Sequence, residues 1–165
     1  MRTEEFEKIF RQHYPKVFRQ LAYLLRDYSL AEDLAQDVFL RLYECPPQHQ
    51  ENLGGWLAKV ARNLAFNQNR NNKSHRRKVT KIAASGEATT HIQEREWAIV
   101  EVKSILAKMP ERERSLLLLK HSGYTYEEIA AALGINKASV GTLLARAQQK
   151  FKNLYEEGES NDLLQ

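Results

Sequence analysis

TYEEIAAALGINKASVGTLLARAQQKF, Thr125 to Phe151, is the stretch that decides how this chain reads. In its first half Ile129, Ala130 and Leu133 recur at helical spacing. They follow Thr125-Tyr-Glu-Glu128, a capping box in which threonine and glutamate each accept from a backbone N–H the helix cannot satisfy. Gly134 stands where a left-handed C-cap is needed, and Ile135 packs the turn. Asn136 can cap the second half. There Val140, Leu144, Ala147 and Phe151 fall in one narrow arc at 100° per residue. Ala138, Thr142, Ala145 and Gln149 lie opposite, flanked by Ser139 and Arg146. Helix, glycine turn and helix of these lengths are the sequence form of a helix-turn-helix, whose second helix lies in a DNA major groove. Small and hydrogen-bonding side chains allow close approach to base edges. Arg146 and Lys150 suit phosphates, and Lys137 suits a base or a phosphate.

Upstream of the motif, Leu116 to Leu119 belong to a helix opened near Pro110 and closed at His121-Ser-Gly123-Tyr124. Trp97, Val100, Ile105 and Leu106 mark another, ending at Met109-Pro110. Before them the polar, basic segment from roughly Ser74 to Gln93 has no sustained apolar period and reads as a flexible tether. In the first half of the chain, Phe6, Ile9, Phe10, Val17, Leu21, Leu24 and Leu25 predict a helix over Glu4–Tyr28, broken or kinked near Pro15. Ser29-Leu-Ala-Glu32 fits a second capping box, starting a helix from Leu30 to about Glu44, which Cys45-Pro-Pro ends. A polar loop, Gln48–Gly55, precedes a third helix from Trp56 to about Asn71. No strand pattern and no internal repeat is visible. The expectation is an all-α chain of two small helical domains: residues 1–73, a linker over 74–96, residues 97–155, and a short acidic tail over 156–165.

Charge is distributed unevenly. Between Asn52 and Gly86 there is no acidic residue, while Lys59, Arg62, Arg70, Lys73, Arg76, Arg77, Lys78 and Lys81 all fall there. Glu32, Asp33 and Asp37 instead cluster on the second helix. Such asymmetry suggests two surfaces with different partners, one of them anionic. On the second helix Ala31, Leu34, Ala35, Val38 and Leu42 gather on one side, and Asp33, Gln36, Asp37 and Glu44 on the other, with Leu40 in their midst. A leucine within an acidic face reads either as a single exposed apolar residue or as the anchor of a docking surface for a basic protein. On the third helix Leu57, Val60, Ala61 and Leu64 face inward. Lys59, Arg62, Asn63, Phe66, Arg70 and Lys73 share another side, a composition suited to tracking a nucleic-acid strand. Phe66 can equally pack against the first helix, and Asn63 can serve as a structural cross-link.

The bulk numbers narrow the class. With 42% hydrophobic and 28% charged residues, a packed core is expected rather than wholesale disorder. No apolar run approaches the roughly 18 residues of a membrane span. The charged N-terminus lacks a signal-peptide core, so a cytoplasmic location is expected. The single cysteine, Cys45, excludes an intrachain disulfide and reads as a structural thiol. His13, His49, His75, His91 and His121 are scattered without metal-ligand spacing, and there is no glycine-rich phosphate loop. Neither a metal, a cofactor nor a catalytic group is expected, nor a small-molecule substrate.

Taken in order, AEDLAQDVFLRLYE, GGWLAKVARNLAFNQNR, a linker, and MPERERSLLLLKHSGYTYEEIAAALGINKASVGTLLARAQ resemble the extracytoplasmic-function (ECF) sigma factors of bacterial RNA polymerase, over Phe6–Asn153. The resemblance implies two helical domains, region 2 and region 4. It implies that Asp33, Gln36, Asp37 and Leu40, with their neighbours Arg41 and Glu44, bind the clamp helices of core RNA polymerase. It assigns Lys59, Arg62, Asn63, Phe66 and Arg70 to the −10 promoter element, and the Gln48–Gly55 loop to a base flipped from the melted strand. Lys137, Ala138, Ser139, Thr142, Arg146 and Lys150 would contact the −35 element. An anti-sigma factor is the further partner implied, and no direct membrane insertion. Gly141 and Leu143 depart from the family pattern, which usually has a lysine and an arginine there, and Asn67 stands where an aspartate is common. The alternative to an alternative sigma factor is a dimeric helix-turn-helix repressor or activator, which predicts palindromic sites.

Overall fold

The computed structural model describes residues 1–76 and 101–164. Seven helices are seen among them: α1 (Thr3–Leu25), α2 (Tyr28–Glu44), α3 (Leu53–Arg76), α4 (residues 101–108), α5 (Glu111–Ser122), α6 (Tyr126–Leu133) and α7 (Lys137–Asp162). The described residues contain no strand, as the sequence predicts. Most of the expected linker, together with Trp97 and Val100, lies outside the described residues.

Several boundaries differ from the sequence expectation, each for a local reason. α1 runs unbroken through Pro15. Proline removes one N–H and crowds the carbonyl four residues back; here Pro15 is exposed, so water can take that partner's place, while buried His13 and Val17 hold the flanking turns. α2 is capped by Asp27, whose carboxylate accepts from the Leu30 N–H at 3.1 Å; it therefore starts at Tyr28, and Ser29 lies inside it. α3 starts earlier than expected because Asn52 caps it, its side-chain oxygen accepting from the Gly55 N–H at 3.1 Å. It also continues to Arg76, so residues 74–76 of the expected linker are helical. The expected acidic tail continues α7 as far as Asp162.

The helix-turn-helix forms as the sequence predicts. Thr125 Oγ1 accepts from the Glu128 N–H at 3.2 Å, and the Glu128 carboxylate accepts from the Thr125 N–H at 2.8 Å. Gly134 closes α6 at φ 64°, a left-handed conformation that side chains disfavour. Asn136 then caps α7 through the Ala138 N–H at 3.0 Å.

Two cores result. One joins α1, α2 and α3 around Val17, Leu21, Val38, Phe39, Leu42 and Leu57, with Phe6, Phe10 and Tyr14 packed against Phe39. The other joins the helices from Met109 onward, around Leu116, Leu119, Tyr124, Ile129, Val140 and Leu144. Ala58, on α3, belongs to this second core. The two helical units therefore pack directly together, α6 against α3 and α5 against α1.

Candidate nucleic-acid and partner interfaces

The outer face of α7 is built by its buried one. Val140, Leu144 and Ala147 are buried, which fixes the rotation of the helix and leaves Lys137, Ala138, Ser139, Thr142, Arg146 and Lys150 exposed together. Lys137 lies 3.8 Å from Glu127, and Lys150 lies 3.5 Å from Glu113, so both cations are partly engaged within the chain. Among the described residues Arg146 makes no ion pair. Gly141 is not required by packing: a β-carbon there would meet the Tyr126 ring at 3.6 Å, an ordinary contact. Leu143, which departs from the family's usual arginine, has a place in the fold. It is partly buried and packs on the second core.

The outer face of α2 arises in the same way. Leu34, Ala35, Val38, Phe39 and Leu42 are buried, and Asp33, Gln36, Asp37, Arg41 and Glu44 are exposed. Leu40 stands 53% exposed among them. Tyr43, which the sequence reading missed, is equally exposed, its ring edge-on to Phe6 at 5.5 Å. Its position one helical turn after Leu40 was the available signal. Cys45, at the end of this helix, is exposed.

α3 is different. Lys59, Asn63 and Arg70 are exposed, but Arg62 is held in place. Its guanidinium donates to the Glu111 carboxylate at 2.7 Å and lies 4.8 Å over the Phe66 ring. Phe66 is half-buried at a cleft of about 690 Å³ that Leu24, Arg70, Leu106 and Glu111 also line. The preceding loop is held as well. The Asn52 amide donates to the Glu127 carbonyl at 3.0 Å, and Gly54 and Gly55 lie directly under α6. A β-carbon on Gly55 would come within 2.6 Å of the Ala131 methyl carbon. Only glycine allows that approach.

A buried polar chain links the units further in. The Tyr124 hydroxyl donates to Gln20 Oε1 at 2.8 Å, and Gln20 Nε2 donates to the Ala58 carbonyl at 2.9 Å. Arg19 donates to the Ser122 carbonyl at 3.1 Å, and Lys16 pairs with Glu128 at 3.2 Å. Burial, with Glu128 nearby, raises the Tyr124 hydroxyl well above the usual phenol range, so it remains a donor. Gln20 sits between the apolar positions Val17 and Leu21. A glutamine on a buried stripe is a signal the sequence carries and the reading did not use.

The full order of parts has a match. The Sigma-70 region 2 family covers residues 9–75, and the Sigma-70 region 4 family covers residues 99–151. The chain belongs to the sigma-70 family. Sigma-70 relatives include the ECF RNA polymerase sigma factor SigM of Bacillus subtilis, 28% identical over 94% of this chain and 98% of the relative. The ECF sigma factor EcfG of Rhodopseudomonas palustris is 31% identical over 75% of this chain and 70% of its own length. Among solved structures, the sigma factor RpoE of Bartonella quintana, in complex with the anti-sigma factor NepR, superimposes with a TM-score of 0.63 at 20% identity, covering 93% of this chain and 98% of RpoE. CnrH in complex with the cytosolic domain of CnrY gives 0.69 at 17%, over 94% and 90%. As a sigma-70 protein the chain is an alternative sigma factor of RNA polymerase, a regulator of transcription initiation from a family that is generally non-enzymatic. The dimeric-regulator alternative accounts for the helix-turn-helix alone, whereas the two matches account for both units. Among the described residues no helix is long and apolar enough to cross a membrane.

Proposed function

We propose that this sigma factor binds core polymerase through the outer face of α2 and promoter DNA through α3 and α7. Asp33, Gln36, Asp37, Leu40, Arg41 and Glu44 form the polymerase-facing surface. Lys59, Arg62, Asn63, Phe66 and Arg70, with the loop before α3, act at the −10 element. Lys137, Ala138, Ser139, Thr142, Arg146 and Lys150 act at the −35 element. The units α1–α3 and α4–α7 correspond to the two tasks, with the segment between them as the tether. An anti-sigma factor, of the kind that holds the structurally similar RpoE, is the expected inhibitor.

The observation that carries the reading is the exposed Leu40 within an acidic face, on a helix whose other side is fully buried. Folding leaves that leucine more than half exposed, whereas docking to a basic surface can bury the side chain while the surrounding carboxylates select the mate. DNA opening needs no chemistry in this scheme. Unstacked bases held by protein offset the few kcal/mol of unpairing. The test is transcription from core polymerase plus this protein on a promoter library. Promoter-dependent transcripts are expected, and Leu40→Ala should lower affinity for core roughly tenfold without lowering the melting temperature. No promoter-dependent product, or unchanged core affinity in Leu40→Ala, would refute the reading.

A further inference from the structure

The cleft of about 690 Å³ beside Phe66 is walled by the end of α1, the second half of α3, and α4 and α5. Its charge is one-sided. Arg26, Arg70, Lys103 and Arg114 line it, and none of the four makes an ion pair among the described residues. The two carboxylates on the same walls are already engaged: Asp27 caps α2, and Glu111 accepts from Arg62. Lys103 and Arg114 are half-buried, and cations drawn out of water without a counter-charge call for an anion. Arg26 carries a second sign. It closes α1 in the left-handed conformation, at φ 57°, its N–H donating to the Ala22 carbonyl at 3.0 Å. Glycine or asparagine is usual at such a cap, because a β-carbon is strained there. Among the described residues no other non-glycine has a positive φ. The chain thus keeps a guanidinium at the cleft against a local backbone cost.

The rest of the lining is aromatic and aliphatic. The Phe66 ring is half-buried, Tyr23 is half exposed, and Leu24 and Leu106 add apolar wall. Asn69 is half-buried in the same lining, and its amide makes no hydrogen bond among the described residues. An amide offers a donor and an acceptor together, the pattern that a base edge such as adenine N6 and N7 answers. Flat rings, an unspent amide and grouped cations fit a ligand with a heteroaromatic base and several phosphates. The volume lies within the roughly 300–1,000 Å³ of small-ligand sites. A DNA strand fits less well, since it spaces its charges along a line, one per nucleotide, whereas four cations here surround one small space. We propose that this cleft binds a free nucleoside polyphosphate. The base lies against Phe66 and Tyr23 with the Asn69 amide on its edge, and the phosphates lie among Arg26, Lys103 and Arg114. Phe66 and Arg70 also stand in the proposed −10 set, so a bound nucleotide and the −10 strand exclude one another. That consequence rests on the promoter assignment; the binding itself does not.

The experiment is isothermal titration calorimetry of the full chain with ATP as the probe. Adenosine, tripolyphosphate and a short thymidine oligonucleotide serve as comparisons. ATP should bind one to one and raise the melting temperature, as any ligand of the folded state does. Adenosine and tripolyphosphate should each bind at least roughly tenfold more weakly, since each fills only part of the site. Arg26→Gly removes the guanidinium and relieves the backbone. It should lose roughly tenfold in ATP affinity while melting no lower than wild type, so the loss is not one of folding. Lys103→Gln with Arg114→Gln should lose more. Absence of ATP binding overturns the proposal, as do wild-type affinities in both variants. Tripolyphosphate as tight as ATP reduces the cleft to a polyanion patch, and displacement of ATP by the oligonucleotide at equal phosphate concentration gives the cleft to a strand; either result also overturns it. Failure of the promoter assignment reads differently: ATP binds and the variants weaken it, yet a library-selected −10 strand does not compete.

Discussion

Buried His13 shows how one side chain ties acidity to the packing of this protein. Its Nδ1 is buried without a hydrogen-bond partner among the described residues. Burial, reinforced by Lys16 and partly opposed by Glu128, lowers its pKa below the ordinary imidazole value. The neutral ring is therefore the folded form. Its contribution to stability is complete above about pH 6.5 and is lost as pH falls through the lowered folded value. Melting temperature should drop across that acidic range in wild type, and the drop should shrink in His13→Gln; identical pH profiles would contradict this. Gly141 gives a second prediction at this scale. A methyl group there meets the Tyr126 ring at ordinary distance. Gly141→Ala should therefore stabilise α7 by about 1 kcal/mol, read as a higher urea midpoint with an unchanged slope.

At the scale of the element, a helix presents a functional face because its other face is spoken for. α7 could be read almost completely from sequence, since Val140, Leu144 and Ala147 fix its rotation and Asn136 its start. Arg146 follows from that geometry. Arg146→Ala should weaken duplex −35 binding and reduce the salt dependence by about one phosphate contact; an unchanged salt slope would count against a phosphate role. Leu143, where the family pattern usually has an arginine, occupies a half-buried position on the second core. The start of α2 was misplaced for a local reason. Ser29-Leu-Ala-Glu32 has the letters of a capping box, but Asp27 reaches the Leu30 N–H first, and a helix has one N-cap. Lys59, Asn63 and Arg70 were legible as an exposed basic face, whereas the engagement of Arg62 by Glu111 was not, because that contact crosses 49 residues of sequence.

For the whole molecule, close packing of the units depends on two adjacent residues without side chains. Gly54 and Gly55 were visible in the sequence as the end of a loop, but what approaches them belongs to another part of the chain, and periodicity carries no such information. Gly55→Ala places a methyl group within 2.6 Å of Ala131. Since alanine also favours the helix it joins, the expected outcome is separation of the units rather than unfolding. Small-angle scattering should show a larger radius of gyration while far-ultraviolet circular dichroism stays constant; an unchanged radius would exclude glycine as the spacer.

The capping box of α6 carries one last implication. Glu128 is immobilised by the Thr125 N–H before Lys16 ever reaches it. An ion pair normally has to freeze two mobile chains, and here one is already frozen. Closure therefore carries a smaller entropic penalty than an equivalent surface pair would. Opening leaves the carboxylate still bonded to its own helix. The DNA-reading motif can thus leave its neighbour without loosening itself, and motion between the units is insulated from order within them.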